Sequence, residues 1–538
     1  MNKVGREMNR KKIISLVLAG ALVISTLLAG CSGNQEKSQN DTKPKTESTK
    51  GERDENATMT RAESADISAI IPIGQNSADA QEMVLPIFDM LYRVHGGGTQ
   101  YYLAESYEMS ADNKELTVKL KEGLKYHDGE TIDADEIVWN FNVRKEQGLD
   151  SYYTASNGKD VAIEKVDDLT VKLSLQEPSA SYAAMFGMMQ LIPSHLYKDA
   201  PDVLNCAANE KGVGTGPYKV KEWNKGESLV LERNEEYYGE KPGIKTLVFK
   251  IIPDQANQAV SFESGELDVL TVRNQTDYDK YSKMDGVQMF TFPEGRNHYL
   301  AFNALSDNMK DDKVREAICA ALNQDELVEG AYGGSAVAEK AQNVMTTATL
   351  YYSDKVTGYE QDLDKAKQLI KETGLDSKTL KIIYNSDRAN FEDIALIVQQ
   401  QLKEVGVESE IQGYDSNSFF NELFEYDGKN TGYDIAVNGY ASNGDPDGNR
   451  GMFSASSYNM VTSDKLEELW SQGVVESDPE KRQQIYEDIA QEIKDIHAMY
   501  MVGSTNIILA AKEGYQGLDA VHLIPLFVDY SKIYKEAE

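Results

Sequence analysis

Residues 380–411 read LKIIYNSDRANFEDIALIVQQQLKEVGVESEI, and this stretch decides the fold class. The apolar run 380–384 predicts a strand. Phe391 to Val405 reads as a helix, closed by Gly406 at a position that favours the left-handed backbone. Val407, Ser409 and Ile411 then alternate as a second strand. A strand–helix–strand unit of this kind predicts parallel strands in an α/β fold. Downstream, Tyr433 to Asn438 (YDIAVN) reads as a further strand that empties into GYASNGDPDGN at 439–449. Ligands of open α/β sheets bind beyond the carboxyl ends of strands, so the 439–449 loop is a site candidate.

The pattern extends towards the amino terminus. Residues 115–120 (ELTVKL) and 169–175 (LTVKLSL) alternate as half-buried strands. Asp133 to Gln147 reads as a helix with acids in its first turn and Ile137, Val138 and Phe141 on one face. Asp311 to Tyr332 reads as one long helix, with Val314, Ala317, Ile318, Ala321 and Leu322 at helical spacing. Cys319 within it reads as a small, inert core thiol.

A length of 538 residues predicts two to four domains. The formal charge is −33, and the first thirty residues are the basic part, so the remainder is more acidic still. Such a surface repels phosphate, which argues against a nucleic-acid partner. The three cysteines form no CxxC, and the sequence holds no HExxH, GxxxxGK[ST] or GxSxG. A zincin, an ATPase and an α/β-hydrolase are therefore not indicated. DPDGN at 445–449 lacks the glycine and glutamate that a calcium loop needs at its sixth and twelfth positions, where Arg450 and Ser456 stand. No metal or cofactor site is expected.

Arg10-Lys11-Lys12 precedes an uncharged, mostly apolar run from Ile13 to Leu28, the length of a signal h-region. The run ends Leu28-Ala29-Gly30-Cys31, which resembles the bacterial lipoprotein box and marks Cys31 as the lipidated residue. Residues 1–30 are thus expected to be a lipoprotein signal peptide. Residues 32–56 carry no apolar side chain, so 31–56 is expected to be a disordered tether. Its root-mean-square reach is roughly 25–30 Å. The expected location is the outer face of the cytoplasmic membrane.

Four segments resemble the family 5 solute-binding proteins of ABC importers, the oligopeptide, dipeptide and nickel group. They are LAESYEMSADNKELTVKLKEGLKYHDG at 103–129, VGTGPYKVKEWNKGESLVLERNEEYYGEKPGI at 213–244, Tyr299 to Gly334 with its VREAICAALN helix, and Tyr433 to Asp447. They lie in the family's order and cover about residues 84–515. The resemblance implies an α/β fold: a two-lobed periplasmic-binding-protein clamp of type II with an extra domain, mixed sheets with helices, and a ligand cleft between the lobes. It places lobe I at 57–92, 214–296 and 505–538, the extra domain at 93–213, and lobe II at 297–504. Chain crossings are expected near Arg296 to Asn303 and Tyr500 to Asn506. Gly214, Gly216, Pro217 and His127 read as architecture.

The implied function is binding without catalysis: capture of an oligopeptide and delivery to permease subunits by a monomer tethered to membrane lipid through Cys31. Alternatives are an oligosaccharide or metal chelate in the same clamp, or a peptide-sensing receptor. Peptide-binding relatives place an aspartate in the fourth motif against the ligand's ammonium, and that position matches Ser442 here. Either Asp445 or Asp447 then takes the ammonium, or the ligand has no free amino terminus. Gly439, Tyr440 and Ala441 are expected to present backbone groups and one aromatic face to the cleft. Asn297, Tyr299 and Asn303 stand at the first crossing, as ligand contacts or as residues that order the hinge. Arg388, past a strand end, is a candidate for a ligand carboxylate or a solvated surface residue.

Overall fold

The computed structural model describes residues 52–537, apart from 75–77, 96–97, 389, 425–431, 442–443, 454–460, 520–521 and 524–526. The expected signal peptide, Cys31 and most of the expected tether lie outside the described residues, as does Ser442. Among the described residues no helix is long and apolar enough to cross a membrane.

The opening βαβ unit forms as its periodicity requires. Helix Phe391–Glu404 buries Phe391, Ile394, Ala395, Val398 and Leu402, a stripe at helical spacing. It connects two strands of an eleven-stranded mixed sheet. In chain order those strands are β1 (Thr58–Glu63), β2 (Tyr218–Asn224), β3 (Ser228–Arg233), β4 (Thr246–Ile251), β5 (Val269–Val272) and β6 (Val287–Phe302). There follow β7 (Ala338–Lys340), β8 (Thr379–Asn385), β9 (Glu408–Tyr414), β10 (Ile435–Ala441) and β11 (Met499–Lys512). Their order across the sheet is β2-β3-β4-β1-β5-β11-β6-β10-β8-β9, with β7 beside β11. β8 and β9 are parallel, with Ile382 opposite Ile411.

Three hydrophobic cores sit on this frame. One gathers Met59, Ile70, Phe88, Leu229, Phe249 and Tyr530 around one half of the sheet. A second, around Ile318, Ile382, Val398, Val437 and Trp470, occupies the other half. It also takes in Phe262, Leu270 and Tyr281 from the 214–296 span assigned to lobe I. The third spans Leu91 to Leu191. It packs helix Ala134–Gln147 on a separate antiparallel sheet of Ala104–Met109, Glu115–Leu120, Thr170–Ser174 and Ala162–Lys165.

β6 and β11 run from one half of the large sheet to the other, which explains their lengths of 16 and 14 residues. Phe292 and Leu509 join the first core, whereas Tyr299 to Phe302 and Met499 to Val502 join the second. Between these ends the pairing slips at Pro293/Arg296 and at His298/Tyr299. Bulges of this kind bend a strand pair locally, and here they fall where the chain crosses between the halves.

Three expectations are corrected. The 311–332 helix is two, Asp312–Ala321 and Gln324–Tyr332, because Asn323 breaks the first and caps the second by accepting from Glu326 N. Cys319 is buried in the first, and burial pushes its thiol pKa up. The folded body begins before residue 57: Arg53 bridges Glu536, and Asp54 N donates to Lys535 O at 2.8 Å. Main-chain pairing needs no apolar side chain, so composition could not reveal it. Finally, Gly439 to Ala441 belong to β10 and not to a loop, since β6 extends far enough to pair them with His298, Asn297 and Arg296.

Gly214 and Gly216 hold the return from the 91–191 body. Thr215 N and Gly216 N both donate to Ile87 O, at 3.0 and 2.8 Å. A Cβ on Gly214 would lie 2.0 Å from that oxygen. His127 brackets the turn: Nδ1 accepts from Gly214 N at 3.1 Å, so Nε2 carries the proton and donates to Gly216 O at 3.0 Å. Burial pushes its pKa down to about 4, so the ring is neutral.

Candidate functional site

The segment after β10 meets the 91–191 body, and the two border a cavity of about 220 Å³. Gly444, Asp445, Asp447 and Gly448 form one wall, and Arg93, Ser181 and Met185 belong to the other. The approach is close: a Cβ on Gly444 would stand 2.4 Å from Val94 O. Three hydrogen bonds tie the bodies together here. Ser181 Oγ donates to Asp447 Oδ2 at 3.0 Å, Ala180 N to Val474 O at 2.8 Å, and Asn113 Nδ2 to Val475 O at 2.7 Å. These bonds hold the two bodies together beside the cavity.

The two aspartates have different surroundings. Asp445 is 5% exposed and accepts a bidentate pair from Arg482, at 2.6 and 2.9 Å. Arg482 also donates to Gly473 O and to the Tyr486 hydroxyl, and lies 5.2 Å from the ring centroids of both Tyr351 and Tyr486. Burial opposes its charge, but Asp445 more than offsets this and holds the guanidinium pKa above its usual value. Asp445 Oδ1 also accepts from Asp447 N at 3.0 Å, capping the 3₁₀ turn Pro446–Met452. Asp445 is thus a structural residue, not a free anchor for a ligand, because Arg482 already neutralises it.

Asp447 is only half satisfied. Its Oδ2 accepts from Ser181, whereas among the described residues no donor reaches the buried Oδ1. Burial, and next the charge of Asp445, push its pKa up to about 6. A carboxylate with one buried, unpartnered oxygen in the wall of a cavity is suited to a cationic donor.

The remaining predicted residues divide. Tyr440 presents no face to the cleft: it is 3% exposed, donates its hydroxyl to Val344 O, and packs edge-on against Tyr299 and Phe453. β10 alternates sides, and Tyr440 points to the core. Gly439 lies against His298, where a Cβ would fall 2.6 Å from Cδ2. Ala441 pairs with Arg296. Asn297, Tyr299 and Asn303 are all buried. Asn297 donates to Asn343 O, Tyr299 accepts from Asn438 and Asn303 donates to Tyr433 O, so all three order the crossing. Arg388 is exposed and does not line the cavity.

Sequence reasoning missed Arg482, Ser181, Arg93 and His298. His298 sits at the crossing with Nδ1 2.6 Å from the Tyr332 hydroxyl. Burial, and next the charges of Arg296 and Arg388, push its pKa down to about 3. No local signal singles out these residues, since each matters through a partner distant in sequence.

A two-lobed α/β clamp with an ionisable cavity where its bodies meet is the architecture of a solute-binding protein. Residues 99–460 match the family described as bacterial extracellular solute-binding proteins, family 5 Middle, and the chain belongs to that family. It is 28% identical over 395 residues to the dipeptide-binding protein of Escherichia coli (strain K12), covering 68% of this chain and 72% of the relative. It is 25% identical over 540 residues to the oligopeptide-binding protein AppA of Bacillus subtilis (strain 168), covering 95% and 96%. The crystal structure of the ABC transporter substrate binding protein CtaP from Listeria monocytogenes superposes with a TM-score of 0.82 at 31% identity, over 90% of this chain and 100% of that one.

Proposed function

We propose that this chain is the lipid-anchored substrate-binding component of an ABC importer, and that it captures oligopeptides by their free ammonium. The observation that carries this reading is the half-satisfied carboxylate of Asp447 in the cavity wall. The main chain offers a second handle. β8 pairs with β10 at Ile435 to Val437, and β10 continues to Ala441. An extended peptide laid along that continuation gains main-chain hydrogen bonds without regard to its sequence. The names of the dipeptide- and oligopeptide-binding relatives support a peptide ligand.

The ligand touches Asp447 and the 91–191 body together only when the clamp is closed, so binding shifts the population towards closure. The closed form is what the permease subunits read. The acidic body, a monomer in this reading, hangs from the outer face of the cytoplasmic membrane by Cys31. That anchor rests on Leu28-Ala29-Gly30-Cys31 alone. No step of this cycle makes or breaks a bond, so no catalytic residue or cofactor is assigned.

The test is the melting temperature of the purified chain against peptides of two to ten residues, their N-acetylated copies, and oligosaccharides. A ligand at about a thousand times its Kd stabilises by about 4 kcal/mol. Stabilisation by free peptides that acetylation removes is the expected result. Stabilisation by sugars alone would replace the peptide assignment with the oligosaccharide one.

A further inference from the structure

The cavity that holds Asp447 also holds a buried cation. Arg93, in the short strand Tyr92–His95, lines the same space and is 4% exposed. Burial pulls its pKa down to about 9, with Tyr102 acting in the opposite direction, so the guanidinium is still charged at neutral pH. One cavity of about 220 Å³ therefore carries an anion on the 444–448 wall and a cation on the 91–191 wall. A cavity needs only about 10–15 Å³ by this measure to hold one water, so the space has room for one side chain with some hydration.

We propose that the bound peptide begins with an acidic residue, its ammonium on Asp447 Oδ1 and its side-chain carboxylate on the guanidinium of Arg93. This rests on the peptide reading above and narrows it to a substrate class. A carboxylate meets a guanidinium in a planar, bidentate geometry that a neutral amide reproduces poorly. A first residue with a basic side chain would bring a second cation against Arg93 and be rejected, so the same residue selects positively and negatively. Met185 and Met188 also line the cavity and shape themselves around the methylenes of the side chain.

The test is calorimetric titration of the full chain with Glu-Ala-Ala, Gln-Ala-Ala, Leu-Ala-Ala and Lys-Ala-Ala. Glutamate and glutamine differ in charge and hardly in shape. A hydrogen-bonded charge pair predicts that Glu-Ala-Ala binds roughly 10- to 100-fold more tightly than Gln-Ala-Ala, with Lys-Ala-Ala weakest. In Arg93→Gln the glutamate preference is expected to vanish. Arg93→Lys keeps a cation and is expected to keep part of it. Equal binding of the glutamate and glutamine peptides to the unaltered chain, which needs no variant, would overturn the inference. A glutamate preference that survives in Arg93→Gln would overturn it as well. Binding without first-residue preference leaves the peptide reading standing, whereas no binding by any peptide overturns both.

Discussion

Asparagine at position 445 separates two roles that the sequence alone left open. Asp445 and Arg482 are each 5% exposed at the side chain, and their pairing is bidentate. Asparagine preserves the shape and caps a turn as well as aspartate does, so the change is one of charge. It leaves the Arg482 guanidinium buried without its counter-ion, and breaking a buried pair in this way costs about 3–5 kcal/mol. Against a total stability of about 5–15 kcal/mol that is a large fraction. Asp447→Asn acts in the opposite direction. A folded pKa of about 6 against an ordinary 3.8 means that ionising Asp447 at neutral pH costs the fold up to about 3 kcal/mol, at about 1.4 kcal/mol per unit. Removing that charge is expected to leave the unliganded protein as stable as before, or more so. Urea and thermal unfolding followed by circular dichroism measure both variants. Asp445→Asn should unfold at clearly lower urea and temperature, and Asp447→Asn should not. A wild-type-like Asp445→Asn beside a collapsed Asp447→Asn would refute the assignment of the structural role to Asp445.

Four further outcomes are expected. The folded pKa of Asp447 is raised, so its contribution to the stability of the unliganded protein is present below about pH 4 and is lost as pH rises through about 6. Peptide affinity follows the opposite course: calorimetry should show it growing about ten-fold from pH 5 to pH 7 as the carboxylate ionises, then falling above about pH 8 as the peptide amine deprotonates. Gly444→Ala places a Cβ 2.4 Å from Val94 O, so small-angle scattering should show an opened clamp and calorimetry a weaker Kd, with the melting temperature little changed. Gly214→Ala puts its Cβ 2.0 Å from Ile87 O, and the loss there should appear in melting temperature.

The parts legible in the sequence were those set by local periodicity. The βαβ unit at 380–411 needs only its own alternation of apolar residues, and it forms as read. The family motifs marked His127 and Gly214 as architecture, and the structure joins them by a hydrogen bond. What was not legible depends on distant partners. Strand β10 runs on to Ala441 because β6, some 140 residues earlier, is long enough to pair with it. Asp445 and Asp447 look equivalent until Arg482, 37 residues beyond Asp445, takes one and Ser181, 266 residues before Asp447, touches the other. The site is shared between two bodies, so neither the 433–449 segment nor the strand holding Arg93 reveals it by itself.

The central claim is that Asp447 receives the ammonium of a peptide. The most direct measurement is a two-by-two calorimetric cycle: a free peptide and its N-acetylated copy, each titrated into the unaltered chain and into Asp447→Asn. Acetylation is expected to weaken binding to the unaltered chain by roughly 10- to 100-fold and to cost little or nothing in the variant, since the partner it removes is already gone. An equal acetylation penalty in both proteins would contradict it, and would place the ammonium on some group other than Asp447.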